Sequence, residues 1–332
     1  MKRTGSADET SDPGSGTLLP VAVSGAATPT LFIGVDARKR MRDFFSSHIR
    51  NPNTRRAYRE AVRQFSGFCA EHGIVDLAQV EPIHVAAFVE LQLKTQSKPT
   101  VKLRLAALRM LFDWMVVGQV IPVNPAHAVR GPKHSQRRGK TPVLQADEAR
   151  TLIDAIDSTS VPGLRDRALI GLMIYTFARV GAAVSMKVED FFVQGRRGWV
   201  RLHEKGGKEH EMPTHHNLDR YLEEYIAAAG IAQQRKEPLF RTTRGRSGEL
   251  TGNSLLQSDV WRMIRRRALA AGIKTEIGCH TFRATGITAY LKNGGRLEIA
   301  QQMAAHESAR TTGLYDRRSD EISLDEVERI GI

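Results

Sequence analysis

The hydrophobic and polar positions between Val35 and Val129 follow a helical repeat. Apolar residues recur there every three or four positions with few turn signals, which indicates amphipathic helices. The pattern therefore predicts a small helical domain. The first, third and fourth helices are expected over about 35–49, 82–95 and 99–117, and the second is expected to open after Asn51 or Asn53.

A second region, from Val143 onwards, mixes two repeats. Two extended runs, 198–203 and 210–213, flank the glycine-centred turn 204–209, which predicts a β-hairpin. Around it the spacing is helical, and helices are predicted over 145–157, 163–178, 216–229, 252–271, 281–292, 296–304 and 323–330. The predicted fold is mainly α, with a four-helix N-terminal domain and a mostly helical α+β domain that carries one small antiparallel sheet.

Two segments show neither repeat. Residues 1–34 are dominated by Gly, Ser, Thr, Ala and Pro, and we predict a disordered tail because such residues cannot offset their ordering entropy by burial. Residues 131–142 combine proline and glycine with four cations, which predicts a basic linker. The predicted domains are therefore 35–130 and 143–332.

Charge narrows the class of partner. The 332 residues include 49 Lys and Arg against 36 Asp and Glu, a net charge of +13 with a pI near 10.0, which favours polyanions and above all nucleic acid. No apolar run is long enough to span a membrane. The two cysteines, Cys69 and Cys279, do not form a secreted disulfide framework, so we expect a cytoplasmic protein.

A basic stripe on the second helix is the first candidate for DNA contact. Its arginines recur at three and four residues, which places their guanidinium groups on or near one face. An ordinary solvated surface is the alternative, and the charge excess favours DNA phosphates. With the fourth helix and the linker, the candidate DNA-binding residues are Arg55, Arg56, Arg59, Arg63, Lys98, Lys102, Arg137 and Arg138.

A second set of side chains suits chemistry on a phosphodiester. Such a reaction needs cations on the non-bridging oxygens, a nucleophile in line and a proton donor for the departing oxygen. Arginine is suited to the first role because its planar fork makes parallel hydrogen bonds to phosphate and stays protonated. The candidate catalytic residues are Arg179, Lys205, His280, Arg283, His306 and Tyr315.

The spacing of these residues resembles the tyrosine recombinase, or phage integrase, family, which includes Xer-type recombinases. The resemblance spans about residues 36–320. It implies a helical core-binding domain and a catalytic domain that clamp DNA. The matching motifs are the arginine box Tyr175-Thr176-Phe177-Ala178-Arg179, the hairpin Lys205-Gly206-Gly207-Lys208-Glu209, His280-Thr281-Phe282-Arg283, Ala305-His306 and Tyr315.

The resemblance implies covalent catalysis. Tyr315 would attack a DNA phosphate to give a 3′-phosphotyrosyl enzyme and a free 5′-hydroxyl. Arg179 and Arg283 would neutralise the charge that develops on the phosphate. No external energy source is implied, because the energy of the broken bond is retained in the new one. The resemblance implies no metal and no cofactor.

The resemblance also assigns the proton transfers. His306 would donate a hydrogen bond to the phosphate, Lys205 would protonate the leaving 5′ oxygen, and His280 would assist proton transfer. Lys208 is the alternative to Lys205, because flexible lysines on one turn interchange within reach.

Three positions depart from the family pattern. The acidic residue usual three positions after the first arginine is Ala182, so its support of the site is missing or supplied elsewhere. The glycine usual before the final histidine is Ala305, and the residue after the second arginine is Ala284. We expect these two changes to alter packing more than chemistry.

The expected function is site-specific recombination that integrates, excises or resolves mobile DNA. The expected partner is double-stranded DNA with inverted-repeat half-sites, with a possible accessory protein and no membrane. A homotetramer is expected through exchange of a C-terminal helix that carries Ile322, Leu324, Val327 and Ile330. The alternatives are a monomeric type IB topoisomerase-like enzyme and a DNA-binding protein that no longer cleaves.

Overall fold

The computed structural model of the chain describes residues 31, 34–135, 139–204, 207–245 and 247–316. The chain divides into two compact units, 1–135 and 136–332. Four of the predicted features lie outside the described residues: the tail apart from Leu31 and Gly34, the linker residues Arg137 and Arg138, the hairpin Lys205, and the C-terminal helix at 323–330.

The first unit contains the four predicted helices. They are α1 (Val35–Asp43), α2 (Pro52–Glu71), α3 (Pro82–Thr95) and α4 (Lys98–Val117). The helix expected over 35–49 changes at Phe44 into a π-helical turn, Phe44–His48. Asn51 fixes the start of α2, because its side chain accepts the backbone N–H groups of Asn53 and Thr54 and Pro52 occupies the first turn.

Aromatic rings hold these helices together. Phe65 of α2 meets Phe88 of α3 edge to face at 5.3 Å and Phe112 of α4 at 5.9 Å, and all three rings are buried. Such arrangements align the positive ring edge with the negative ring face. The inward face of α2 is therefore fully used by the core, which leaves its arginine-bearing face outside.

Over its described residues, the second unit is mostly helical with five short strands. Its helices are α5 (Ala146–Asp154), α6 (Val161–Tyr175), α7 (Val180–Ser185), α8 (His216–Ala229), α9 (Gln257–Ala270), α10 (Cys279–Lys292), α11 (Leu297–Met303) and α12 (Ala309–Gly313). Its strands are β1 (Phe191–Gln194), β2 (Arg197–Glu204), β3 (Lys208–Pro213), β4 (Arg241–Thr243) and β5 (Leu250–Ser254). The predicted fold, mainly α with a small antiparallel sheet, is confirmed.

Three details of the prediction are corrected. The hairpin β2–β3 gains a third antiparallel strand, β1, and β4 pairs with β5 in a second sheet. Because β5 takes up the start of the helix expected over 252–271, α9 begins at Gln257. The helix expected over 163–178 ends at Tyr175, where the chain turns into α7.

Two apolar clusters support the second unit. The main core lies between α6, α8, α9 and the inward face of β2, where Val200 and Leu202 are buried. A smaller cluster, built on Phe177, Ile287 and Leu291, packs against the side chain of Tyr315. Within the described residues, no helix is both long enough and apolar enough to cross a membrane.

Candidate active site

Arg179 is held at the start of a short helix by a buried carboxylate. The chain leaves α6 at Tyr175, passes Phe177 in the left-handed region at φ +57° and enters α7 at Val180. Arg179 Nη1 donates to Glu204 Oε2 at 2.5 Å. The side chain of Glu204 is 3% exposed and that of Arg179 is 35% exposed. The guanidinium is therefore anchored on its buried side and open to solvent on the other.

Arg283 is a buried cation that joins two loops. It lies one helical turn after His280 on α10 and is 1% exposed. One terminal nitrogen donates to the carbonyl oxygen of Phe177 and the other to that of Ala304. Burial and the nearby charge of Arg179 lower the pKa of Arg283 to about 10, so the guanidinium stays protonated at neutral pH.

His306 follows α11 in a turn with an unusual backbone. Ala305, just before it, has φ +45°. The His306 ring is buried, and its Nδ1 pairs with the hydroxyl of the fully buried Thr312 at 2.9 Å. Burial, followed by the charge of Arg283, lowers the pKa of His306 to about 3. The imidazole is therefore neutral at physiological pH.

Tyr315 is positioned by its own backbone. Its N–H donates to Thr312 O at 2.9 Å, and its carbonyl oxygen accepts the hydroxyl of Thr288 on α10 at 3.0 Å. The half-buried ring lies parallel to that of His306, with 5.9 Å between ring centroids, and the side chain also interacts with the Arg283 guanidinium. The tyrosine hydroxyl is thus brought to the same place as the buried arginine.

His280 completes this group from the first turn of α10. Part of its surface is exposed, yet the atoms packed around it, and next the charges of Arg283 and Arg179, lower its pKa. The structure therefore brings five of the six predicted catalytic side chains into one central cluster. Its members are Arg179, His280, Arg283, His306 and Tyr315.

The lysines of the hairpin turn are the remaining candidates. Lys205 lies outside the described residues. Lys208, at the start of β3, has its Nζ 3.0 Å from Glu307 Oε1, and both side chains are exposed. Because Glu307 follows His306 directly, this ion pair ties the hairpin to the loop of the central cluster. The choice of Lys205 over Lys208 stays a prediction.

Comparison with known proteins decides the family. The phage integrase family matches residues 142–321, which is more than half of the chain, and the phage integrase N-terminal SAM-like domain matches residues 42–117. The chain belongs to the phage integrase family of tyrosine recombinases. This recombinase is an enzyme that cleaves and rejoins DNA in site-specific recombination through a tyrosine intermediate.

Individual relatives of the recombinase are similar over most of their length. It is 29% identical to the tyrosine recombinase XerC of Thermodesulfovibrio yellowstonii, over 82% of this chain and 89% of the relative. It is 27% identical to the tyrosine recombinase XerD of Mycobacterium leprae, over 79% of this chain and 86% of the relative.

Solved structures share the fold of the recombinase at lower identity. The XerH site-specific recombinase in its post-cleavage complex with a palindromic difH substrate matches with a TM-score of 0.66 at 19% identity, over 83% of this chain and 78% of that one. A lambda integrase dimer bound to a COC′ core site matches with a TM-score of 0.64 at 20% identity, over 86% and 77%. The resemblance predicted from the motifs is confirmed, and recombination is favoured over the topoisomerase-like and non-cleaving alternatives.

Three side chains around the central cluster of the recombinase were missed in the sequence. Glu204 carries a readable signal, because it occupies an inward position of β2 after Val200 and Leu202 in the alternating pattern. Thr312 gives no such signal, since its contact with His306 depends on how α12 folds back. His210 of β3 is within electrostatic reach of Glu204, whose charge opposes the lowering of the histidine pKa by burial.

The candidate DNA-binding residues of the recombinase differ in how they are held. Arg55 is half-buried and donates twice to the carbonyl oxygen of Ile49, at 2.7 and 3.0 Å. Arg63 is exposed and pairs with Glu60 at 2.7 Å, and Arg59 is also exposed. Three further candidates are exposed, namely Arg56, Lys98 and Lys102. Arg55 thus serves the fold at least in part, and the five exposed residues are available to a ligand.

Proposed function

We propose that Tyr315 is the nucleophile of this recombinase. Its phenol oxygen bonds to the phosphorus of the scissile phosphate while the bond to the 5′ oxygen breaks, which leaves a 3′-phosphotyrosine and a 5′-hydroxyl. The phenolic proton leaves, and the 5′ oxygen gains one. The observation that supports this role is the position of the Tyr315 ring, parallel to His306 and beside the Arg283 guanidinium.

Arg179 and Arg283 balance the charge of the transition state in different ways. Arg283 is fixed, because its two terminal nitrogens are bound to carbonyl oxygens and burial keeps it in one position. Arg179 donates one of its five N–H groups within the described residues and is partly open to solvent. The remaining donors suit the non-bridging oxygens of a phosphate, as preorganised charges do in such sites.

His306 acts in this proposal as a neutral hydrogen-bond donor. A neutral imidazole has one donor nitrogen and one acceptor nitrogen. We assign the Thr312 hydroxyl as donor to His306 Nδ1, which leaves the ring proton on Nε2. That N–H can then donate a hydrogen bond to a phosphate oxygen that carries negative charge in the transition state.

Two groups handle the protons. His280, whose pKa is lowered by its surroundings, is unprotonated at neutral pH and is suited to take up the phenolic proton. Lys205 supplies the proton for the 5′ oxygen, with Lys208 as the alternative. Rejoining runs the same steps backwards, with a 5′-hydroxyl as the attacking group. One phosphodiester is exchanged for another, so the cycle proceeds without an external energy source.

The proposed substrate is double-stranded DNA with inverted-repeat half-sites, bound by a homotetramer that exchanges C-terminal helices. The net charge of +13 and the exposed arginines of α2 support DNA binding. Among structures that share the fold, XerH is bound to a palindromic difH substrate and lambda integrase is a tetramer bound to a Holliday junction. We further propose action on mobile DNA in the cytoplasm, with a possible accessory protein.

Trapping of the covalent intermediate tests the nucleophile. A duplex is first selected from a random-sequence pool by binding to the full chain, and is then made as a series with nicks at successive positions. When a nick lies just 3′ of the scissile phosphate, the short fragment with the 5′-hydroxyl diffuses away and the adduct accumulates. We expect a protein–DNA adduct with the natural chain and none with Tyr315→Phe, since only one hydroxyl is removed and the phosphate contacts stay.

Tyr290→Phe is the matched control. Tyr290 packs against the same small apolar cluster as Tyr315, and its substitution also removes one phenolic hydroxyl. This variant should form the adduct at the natural rate. An adduct with Tyr315→Phe, or its loss only with Tyr290→Phe, would refute the assignment.

A further inference from the structure

The short helix that follows Arg179 lacks a carboxylate. Ala182, three residues after Arg179, is 5% exposed, and its methyl group cannot accept a hydrogen bond. A guanidinium is held in one orientation only where an acceptor binds its planar fork. Arg179 therefore depends on an acceptor from another element.

We propose that Glu204 supplies this acceptor and is the positioning residue that orients Arg179 toward the scissile phosphate. The inference rests on the proposed function, in which Arg179 binds that phosphate. Glu204 Oε2 lies 2.5 Å from Arg179 Nη1, across a sequence separation of 25 residues. The carboxylate that the family pattern places on α7 is thus moved to the end of β2.

The location of Glu204 argues for a specific task. On β2 the inward positions before it hold Val200 and Leu202, both buried in the main core. An unpaired carboxylate at such a position is strongly unfavourable, because burial removes its hydration. An apolar residue would satisfy the core without this cost, so the acidic side chain is explained by its partner rather than by packing.

The geometry leaves Arg179 ready for a ligand. Glu204 is almost fully buried, whereas about a third of the Arg179 side chain is exposed. The carboxylate therefore binds the guanidinium on its buried side and leaves the exposed side free for a ligand. Glu204 Oε1 makes no hydrogen bond within the described residues. Oε1 can therefore accept a second N–H of Arg179 once the guanidinium has rotated to bind the phosphate.

The relocation also connects two parts of the mechanism. Glu204 is followed directly by Lys205, and Lys208 opens the next strand opposite Glu204. The end of β2 thus holds Arg179 through Glu204 and is followed directly in the sequence by the segment that carries both candidate acids, Lys205 and Lys208. In a chain with the carboxylate on α7, this covalent connection would be absent.

Single-turnover cleavage of the selected nicked duplex tests the proposal. Glu204→Gln keeps the shape of the side chain but removes its charge, and we expect adduct formation to slow about 10- to 100-fold. Glu211→Gln is the matched control, because Glu211 accepts Arg201 Nε at 2.8 Å on the same sheet away from the central cluster. It should stay within about twofold of the natural chain.

A neutral substrate separates orientation of Arg179 from support of the hairpin. When a methylphosphonate replaces the scissile phosphate, a neutral methyl group takes the place of one non-bridging oxygen, so less negative charge is left for Arg179 to neutralise. On this substrate, Glu204→Gln should slow adduct formation less than about threefold. The effect of Glu204→Gln on the rate should also become smaller in an Arg179→Ala background. An equal penalty on both substrates would overturn the proposal, because it would show that Glu204 only supports the hairpin.

Folding and function are controlled separately. If Glu204→Gln lacks the thermal transition of the natural chain, Glu204→Asp is measured on both substrates instead, since it keeps the charge and shortens the reach by one methylene. A natural chain that forms no adduct overturns the proposed function and this inference together. A natural adduct with full activity of the Glu204 variants overturns this inference alone.

Discussion

The backbone of Ala305 offers a direct test of the site's local geometry. Its φ of +45° lies in the left-handed region, which costs an L-residue about 1 to 2 kcal/mol. Ala305→Gly removes this strain, which raises the free energy of unfolding. The greater freedom of glycine in the unfolded chain lowers the free energy of unfolding by about 0.4 to 1 kcal/mol. We therefore expect a net rise of about 0.5 to 1 kcal/mol in the free energy of unfolding.

A matched control lies one residue earlier. Ala304 is fully buried and has an ordinary φ of −79°, so Ala304→Gly relieves no strain, removes a packed methyl group and loosens the unfolded chain. It should lower the free energy of unfolding by about 1 kcal/mol or more. The two neighbouring substitutions are thus expected to have opposite signs.

Tryptophan fluorescence can follow the second unit alone. Of the three tryptophans, Trp114 lies in the first unit and Trp199 and Trp261 lie in the second. In a Trp114→Phe background, denaturant unfolding therefore reports on the unit that holds the central cluster, which avoids mixing two domain transitions. If Ala305→Gly lowers stability as much as Ala304→Gly does, the argument from strain is wrong.

Two further predictions concern charge. The folded state lowers the pKa of His306 from its ordinary 6.5 to about 3. Between these two pH values the unfolded chain therefore binds a proton that the folded chain does not. The free energy of unfolding of the second unit should fall as the pH drops below 6.5, and this group alone should lower it by about 2 kcal/mol at pH 5. His306→Asn should flatten this slope in the same fluorescence assay, and an unchanged slope would contradict the burial of a neutral imidazole. For DNA binding, Arg59→Ala should reduce the slope of log K against log salt by about 0.9 in fluorescence anisotropy of the selected duplex, since each neutralised phosphate contributes that amount. A slope equal to that of the natural chain would remove Arg59 from the interface.

Arg283 gives the central cluster its rigidity. It donates to the carbonyl oxygens of Phe177 and Ala304. Phe177 itself has a positive φ, and Ala304 directly precedes Ala305, which also has one. The loops that carry Arg179 and His306 are therefore held by one buried cation. Such support explains how Phe177 and Ala305 persist in a backbone region that residues other than glycine seldom adopt.

Much of the fold and of the central cluster was predictable because it depends on short-range geometry. The repeat of apolar residues determined the helices of the first unit, and Asn51 with Pro52 marked the start of α2. His280 and Arg283 were expected together because residues three apart lie on one face of a helix. The strands β1, β4 and β5 were missed because such short strands depend on a partner strand rather than on their own pattern.

The amino-acid sequence by itself determined which chemical groups this recombinase carries and which of them are neighbours along a helix. Only the tertiary structure decided that Glu204 of β2 reaches Arg179 and that Arg283 binds carbonyl groups on two distant loops. It also decided that Thr312 faces His306. The physical reason is range: helical spacing follows from local backbone geometry, whereas these contacts join segments whose approach is set by the packing of the whole core.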